Sequence, residues 1–178
     1  MRPHRTIWLD EDKTIRLSNP EDAPAFMELW GEYLNQQWED GGELVPTSTT
    51  LSSFASLFTL YTTGHKPMGP GVRGRDGVAV FGADENAVLL WGTTGGAAPF
   101  DFRWGRTANG WGTYVRSRHR GKGWSARMRA AASKYMREEL GFDAVIGTAH
   151  NENPVGLETG LRAGFEIYAQ TGVLRLKE

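Results

Sequence analysis

The stretch Val115-Arg116-Ser117-Arg118-His119-Arg120-Gly121-Lys122-Gly123-Trp124-Ser125 combines a strand end, a glycine turn and the start of a helix. A helix start leaves about four backbone N–H groups without intrahelical partners and carries roughly half a positive charge. Glycines let those amides approach an anion with no Cβ in the way. Arg118, Arg120 and Lys122 add full charges, so the segment suits a pyrophosphate. A basic helix start with incidental glycines is the plainer alternative. Two phosphate-binding patterns fit poorly. Gly121-x-Gly123-x-x-Ala126 matches the dinucleotide fingerprint only in part, because Asp143 precedes the next strand and Glu152 lies beyond its end. The Gly-x-x-x-x-Gly-Lys-Ser/Thr run does not occur.

Few other residues carry chemistry by type and spacing. His150 and Glu152 sit at the mouth of a strand, where a base could face an acceptor; a hydrogen-bonded loop histidine and a solvated glutamate are the alternatives. His4, His65, His119 and His150 show no metal-ligand spacing, so no metal is expected. Gly123-Trp-Ser125 lacks the last glycine of a nucleophile elbow. Phe100, Phe102, Trp104 and Trp111 cluster in and beside the long stretch 94–110, with Asp101 among them as a candidate for holding a cationic amine. Arg103 and Arg106 beside these rings raise a single-stranded nucleic acid as acceptor, since stacking plus cations suits one. A pI near 6.4 and an acidic first half argue against it.

The charge is divided along the chain. Residues 1–100 carry 7 Lys/Arg and 13 Asp/Glu, residues 101–178 carry 13 and 8, and Phe102–Arg137 holds ten basic residues and no acid. The net charge of −1 conceals this split, which is either a solvated face or a site for something anionic. At 178 residues and 39% hydrophobic content, one domain over 1–178 is expected. The chain has no cysteine, which removes disulfides, thiolate nucleophiles and Cys-ligated metals. No apolar run approaches the roughly 20 residues that cross a bilayer. The N-terminus lacks the apolar core of a signal peptide, so a soluble, cytoplasmic protein is expected.

Periodicity supplies the elements that position these residues. Thr6–Leu9 and Thr14–Leu17 read as short edge strands or a hairpin. Ser18-Asn19-Pro20-Glu21-Asp22 reads as a helix entry, and Phe26, Leu29, Trp30, Tyr33 and Leu34 extend that helix to about Trp38. A second helix runs from about Thr49 to Thr62. Gly77–Ala83 and Ala87–Thr93 form a hairpin, Trp111–Arg116 a strand, and Gly121–Leu140 a third helix with Trp124, Met128, Ala131, Ala132 and Tyr135 on one face. Strand Ala144–Ala149, helix Pro154–Ala163 and the hairpin Phe165–Gln170/Val173–Lys177 close a mixed α/β plan around one sheet.

Three of these segments, in order and register, resemble the GNAT N-acyltransferase superfamily. Arg118-x-x-Gly121-x-Gly123 after Val115 is similar to its acyl-CoA motif. Asn153 followed by a helix and Gly164-Phe165 is similar to its second signature, and Ile15–Ala23 to its first strand and helix. The resemblance covers nearly the whole chain. It implies an α/β (α+β) GNAT fold, with a mixed central sheet of about seven strands, about four helices, and fourth and fifth strands that splay apart. The pantetheine arm would enter that splay and pair with backbone near Tyr114, Val115 and Arg116. The pyrophosphate would sit on amides from His119 through Arg120, Gly121, Lys122, Gly123 and Trp124 to Ser125, with Asn153 bonding the arm.

The reaction so implied is direct attack of a primary amine on the thioester of acetyl-CoA or another acyl-CoA. The expected acceptor is a small molecule rather than nucleic acid or a membrane component, with Asp101, Trp104 and Trp111 as candidate acceptor contacts. A homodimer is compatible with the fold. One departure stands out: many members have a tyrosine seven residues after the asparagine as general acid to the CoA sulfur, and that position is Gly160. Tyr168, Tyr114 or solvent remain for that role, and His150 or Glu152 for the base. A weak acyl-CoA binder, or a modifier of protein or nucleic-acid amines, are the alternatives.

Overall fold

A computed structural model describes residues 6–41, 45–63, 77–93, 105–147 and 154–166. The chain enters through β1 (Ile15–Leu17) and a 3₁₀ turn at Pro20–Asp22, then helix α1 (Ala23–Glu39). Asp22 shapes this entry: its carboxylate accepts the Asn19 N–H at 2.7 Å and pairs with Arg16 at 2.7 Å. Both contacts pull its pKa down against burial, which raises it most. Helix α2 (Ser48–Thr63), the hairpin of β2 (Gly77–Gly82) and β3 (Ala87–Gly92), and the long strand β4 (Thr107–Val115) follow. Helix α3 (Trp124–Glu138), β5 (Ala144–Gly147) and α4 (Pro154–Arg162) complete the described elements.

The strands lie in sequence order, antiparallel except for β4 and β5, which run parallel. Strands β2 and β3 are buried along their whole length, so both faces must be covered by helices. Val78, Val80, Leu89 and Trp91 face Met128, Ala132 and Met136 of α3. Their alternating neighbours Ala79, Phe81, Val88 and Leu90 face Phe26, Leu29, Trp30 and Leu34 of α1 and Phe54, Phe58 and Tyr61 of α2. Phe26 lies at the middle of that second layer, with its ring 4.4 Å from Phe58 and 5.3 Å from Trp30.

Three differences from the sequence reading have physical causes. The expected Thr6–Leu9 strand reduces to a single bridge, Trp8 to Arg16, at the open edge of β1. Strand β4 begins at Thr107, not Trp111. Asn109-Gly110 carries a turn signal, but pairing with β3 on one edge and β5 on the other overrides it. Helix α3 starts at Trp124 rather than Gly121, because Gly121 and Gly123 both have positive φ, 73° and 76°. Five strands are described against the seven expected. The C-terminal hairpin beyond Glu166, and the region past Gly147 where the fourth and fifth strands were expected to diverge, lie outside the described residues.

Strand β4 also carries a bulge. Leu90 pairs with Gly112 and Trp91 with Gly110, so Trp111 is the extra residue. Tyr33 of α1 braces it, with its hydroxyl donating to the Trp111 carbonyl at 3.3 Å. Glycine is required at 112, since a Cβ there would lie 2.5 Å from Tyr33 Oη and 2.6 Å from Cζ. Gly112→Ala is expected to cost about 1–3 kcal/mol through overpacking, measured by urea unfolding. Burial also holds the Tyr33 pKa up at about 12, against an ordinary 10.0. Its contribution is complete below pH 10 and is lost as pH rises from 10 through about 12, where only the unfolded chain has lost the proton. Stability measured across that window should fall less steeply in Tyr33→Phe than in the parent protein.

Candidate functional site

The β4–α3 junction has to turn the chain from the end of a strand onto the face that same sheet must bury. A 3₁₀ turn at Ser117–His119 and two left-handed glycines accomplish it. His119 N–H and Arg120 N–H are used inside the turn, at 2.8 Å to Arg116 O and 3.1 Å to Ser117 O. Farther on, Arg127 N–H closes the first helical bond onto Gly123 O at 3.1 Å. Between them, the amides of Gly121, Lys122, Gly123, Trp124, Ser125 and Ala126 have no acceptor among the described residues. A Cβ at Gly121 or Gly123 would meet nothing within 4 Å, so no neighbour crowds the loop at either glycine. The result is a run of donors at the positive end of a fifteen-residue helix, accessible to an anion.

The side chains expected around it are mostly committed elsewhere. Arg116 points to α1, where it meets Glu28 at 2.5 Å and Glu32 at 2.6 Å. The bond from Arg116 holds the Glu32 carboxyl below its ordinary pKa, and Glu28 and Glu32 in turn push the arginine up. Tyr114 donates to Glu32 at 3.1 Å, and its pKa is raised first by burial and then by that carboxylate. Arg118 bonds Asn86 Oδ1 in the β2–β3 turn and His119 Nε2 at 3.1 Å. Arg120 clips the loop to the strand, donating to Val115 O at 2.8 Å and to Gln36 at 2.5 Å. Lys122 is exposed, as are Gly121 and Gly123, while Trp124 and Ser125 are half-buried. Backbone amides therefore form the cradle, and the arginines of the turn chiefly hold the loop.

The edge of β4 is the second feature. Arg116 N–H bonds Asn86 O toward β3 at 2.9 Å, so alternation turns the backbone groups of Val115 to the opposite, β5-facing edge. That edge leads directly into the cradle. Trp111, a candidate acceptor contact, instead lies in the aromatic layer: its indole N–H donates to Tyr61 Oη at 3.2 Å and its ring stands edge-on to Phe54. Asp101, Trp104, His150, Glu152, Asn153 and Tyr168 lie outside the described residues. Gly160, where the resemblance expects a tyrosine, is buried in α4 with Arg129 Nη1 3.5 Å from the place of a Cβ.

Sequence reasoning missed the partners that fix the loop. Glu28, Glu32 and Gln36 stand at four-residue intervals on α1; the like-charged pair Glu28 and Glu32 is destabilising alone and therefore signals a cation opposite. Asn86 and Tyr33 gave no signal beyond a turn residue and a core aromatic. Among the described residues no group of three or more His, Asp or Glu could hold a metal ion, and no helix is long and apolar enough to cross a membrane.

Neither a protein-family model nor a curated protein sequence matches the chain. Solved structures do. The aminoglycoside acetyltransferase AAC(6')-Iy, in complex with the bisubstrate analogue CoA-S-monomethyl-acetylneamine, is 14% identical with a TM-score of 0.62, over 92% of this chain and 97% of that one. The ribosomal-protein-alanine N-acetyltransferase of Brucella melitensis biovar Abortus 2308 is 16% identical with a TM-score of 0.58, over 92% and 98%. An integron cassette protein from the mobile metagenome of Cole Harbour Salt Marsh is 18% identical with a TM-score of 0.60, over 93% and 91%. These likenesses span essentially the whole of each chain. With its mixed sheet, parallel β4–β5 pair and four described helices, the chain has the GNAT fold shared by these acetyltransferases.

Proposed function

We propose that this chain is an acyl-CoA-dependent N-acyltransferase that moves an acetyl group onto the primary amine of a small molecule. The observation that carries this reading is the run of six amides from Gly121 to Ala126, unpaired among the described residues, in a loop uncrowded at Gly121 and Gly123. A pyrophosphate matches such a row in charge and in acceptor number. The β5-facing edge of β4, continuing from Val115, supplies strand-like donors and acceptors to an amide-bearing arm, as an added strand would receive them.

Bound acyl-CoA supplies an activated carbonyl. The protein's work is to hold that carbonyl against a neutral amine and to exclude competing water. The amine nitrogen attacks, the C–S bond breaks with its electron pair on sulfur, and the nitrogen's surplus proton passes to a base. Asn153 is assigned to the arm, His150 or Glu152 to the amine proton, and Tyr168 or solvent to the thiol, with Asp101 and Trp104 toward the acceptor. A second reading, an acyl-CoA binder with little turnover, is favoured by Gly160, which offers no hydroxyl from α4.

Calorimetry with acetyl-CoA should give saturable binding; a folded sample showing none at hundreds of micromolar removes both readings. Asp and Asn both tolerate positive φ, so Gly121→Asn and Gly121→Asp strain the loop alike and differ in charge. The Asp variant should bind acetyl-CoA at least about tenfold more weakly than the Asn variant, a gap of about 1.4 kcal/mol. Equal affinities would place the phosphates elsewhere. Thiol release with a panel of small amines separates the two readings, since tight CoA binding with persistent silence favours the binder.

A further inference from the structure

Among the described residues, the α3 side of the sheet holds two buried polar atoms without partners, Arg129 Nε and Thr113 Oγ1. Thr113 stands two residues from Val115, which packs in the α3 layer, so both point to that face. Other arginines of α3 have carboxylates: Arg127 pairs with Asp10 at 3.4 Å and Arg137 with Glu138 at 3.1 Å. Arg129 forms no ion pair among the described residues, and burial pulls its pKa down. Tyr33, from the opposite layer, is the described ionisable group that acts on it, raising it. A guanidinium stays charged even so, and a buried Nε with no partner among the described residues is costly. Leu or Met would fill the same space without that cost.

Its position is informative. The guanidinium lies 5.7 Å from the Phe165 ring centre, and Phe165 Cε1 is 3.7 Å from the place of a Cβ on Gly147. Gly147 is paired with Gly110 of β4. Gly110 lies five residues before Val115, about 16 Å along the strand at its usual rise. The pantetheine arm has thirteen bonds from phosphorus to sulfur, which at the peptide chain's own advance per bond extends roughly 15 Å. An arm starting at the cradle and running along β4 therefore ends at the level of Arg129. Gly160 brings no side chain into this space.

We propose that Arg129 holds the negative charge that builds on the CoA sulfur as the acyl group leaves. This rests on the acyl-CoA reading above. As the nitrogen–carbon bond forms and the carbon–sulfur bond breaks, the electron pair goes to sulfur and the guanidinium, unchanged, pairs with the thiolate. The amine's surplus proton goes to the base or to water, and the thiolate is protonated from water on release. A cation in this role replaces proton donation with charge stabilisation.

The test is the ionisation of CoA bound to the whole protein, followed by thiolate absorbance against pH. In the parent protein the bound thiol should ionise at least about one pH unit below free CoA. Arg129→Gln should abolish the shift and Arg129→Lys should keep part of it, while all three bind desulfo-CoA equally. Failure of the parent protein to bind CoA at all overturns the acyl-CoA reading and this proposal with it. CoA that binds but ionises as it does free, or a shift that survives in Arg129→Gln, overturns this proposal alone. Thermal unfolding supplies a second readout: Arg129→Met should raise the midpoint, and a lowered midpoint in both the Met and Gln variants would assign Arg129 to packing instead.

Discussion

A strand that feeds a helix covering its own sheet must reverse direction within a few residues, and the helix then begins with amides that nothing in its own backbone can satisfy. Here that constraint falls between Val115 and Trp124. The reversal uses two left-handed glycines, and nothing crowds the loop at either of them. Everything else in the candidate site depends on this junction being rigid. Arg120 ties the loop back to the end of β4, Arg118 ties it to the β2–β3 turn, and Arg116 ties it to α1. A basic segment is thereby used mainly to brace a cradle made of backbone.

The two helical layers serve the same end. Helices α1 and α2 press an aromatic layer against one face, and Tyr33 reaches from it to the bulge in β4. Helix α3 covers the other face and brings Arg129 to the level where β4 and β5 are last paired in the described residues. Charge is distributed accordingly. The acids of the first half meet the cations of the second at Glu28, Glu32 and Arg116, which explains part of the split along the chain without any ligand.

The parts of the fold that sequence alone reveals are those where local chemistry and tertiary context agree. Asn19-Pro20 with Asp22 marks the entry of α1, and Phe26, Leu29, Trp30 and Leu34 are buried as their spacing predicts. The Gly121-x-Gly123 turn is readable because glycine takes positive φ without steric cost. Legibility ends where two segments distant in sequence decide the outcome. Asn109-Gly110 signals a turn locally, yet neighbours on both edges make it strand. Trp111 reads as a ligand platform in isolation, but Tyr61 and Phe54 claim it for the aromatic layer. Arg129 reads as one more surface cation on a basic helix, because nothing in its neighbourhood along the chain shows that it has no ion-pair partner among the described residues.

In the proposed function the amides from Gly121 to Ala126 receive the phosphates of an acyl-CoA. Amide resonances assigned by NMR and followed during a CoA titration test it most directly. Saturable downfield proton shifts are expected, largest within Gly121–Ala126, with small changes at His119 and Arg120, whose amides are already bonded. Binding of CoA that leaves those six resonances in place, or that shifts residues remote from the β4–α3 junction instead, would contradict it.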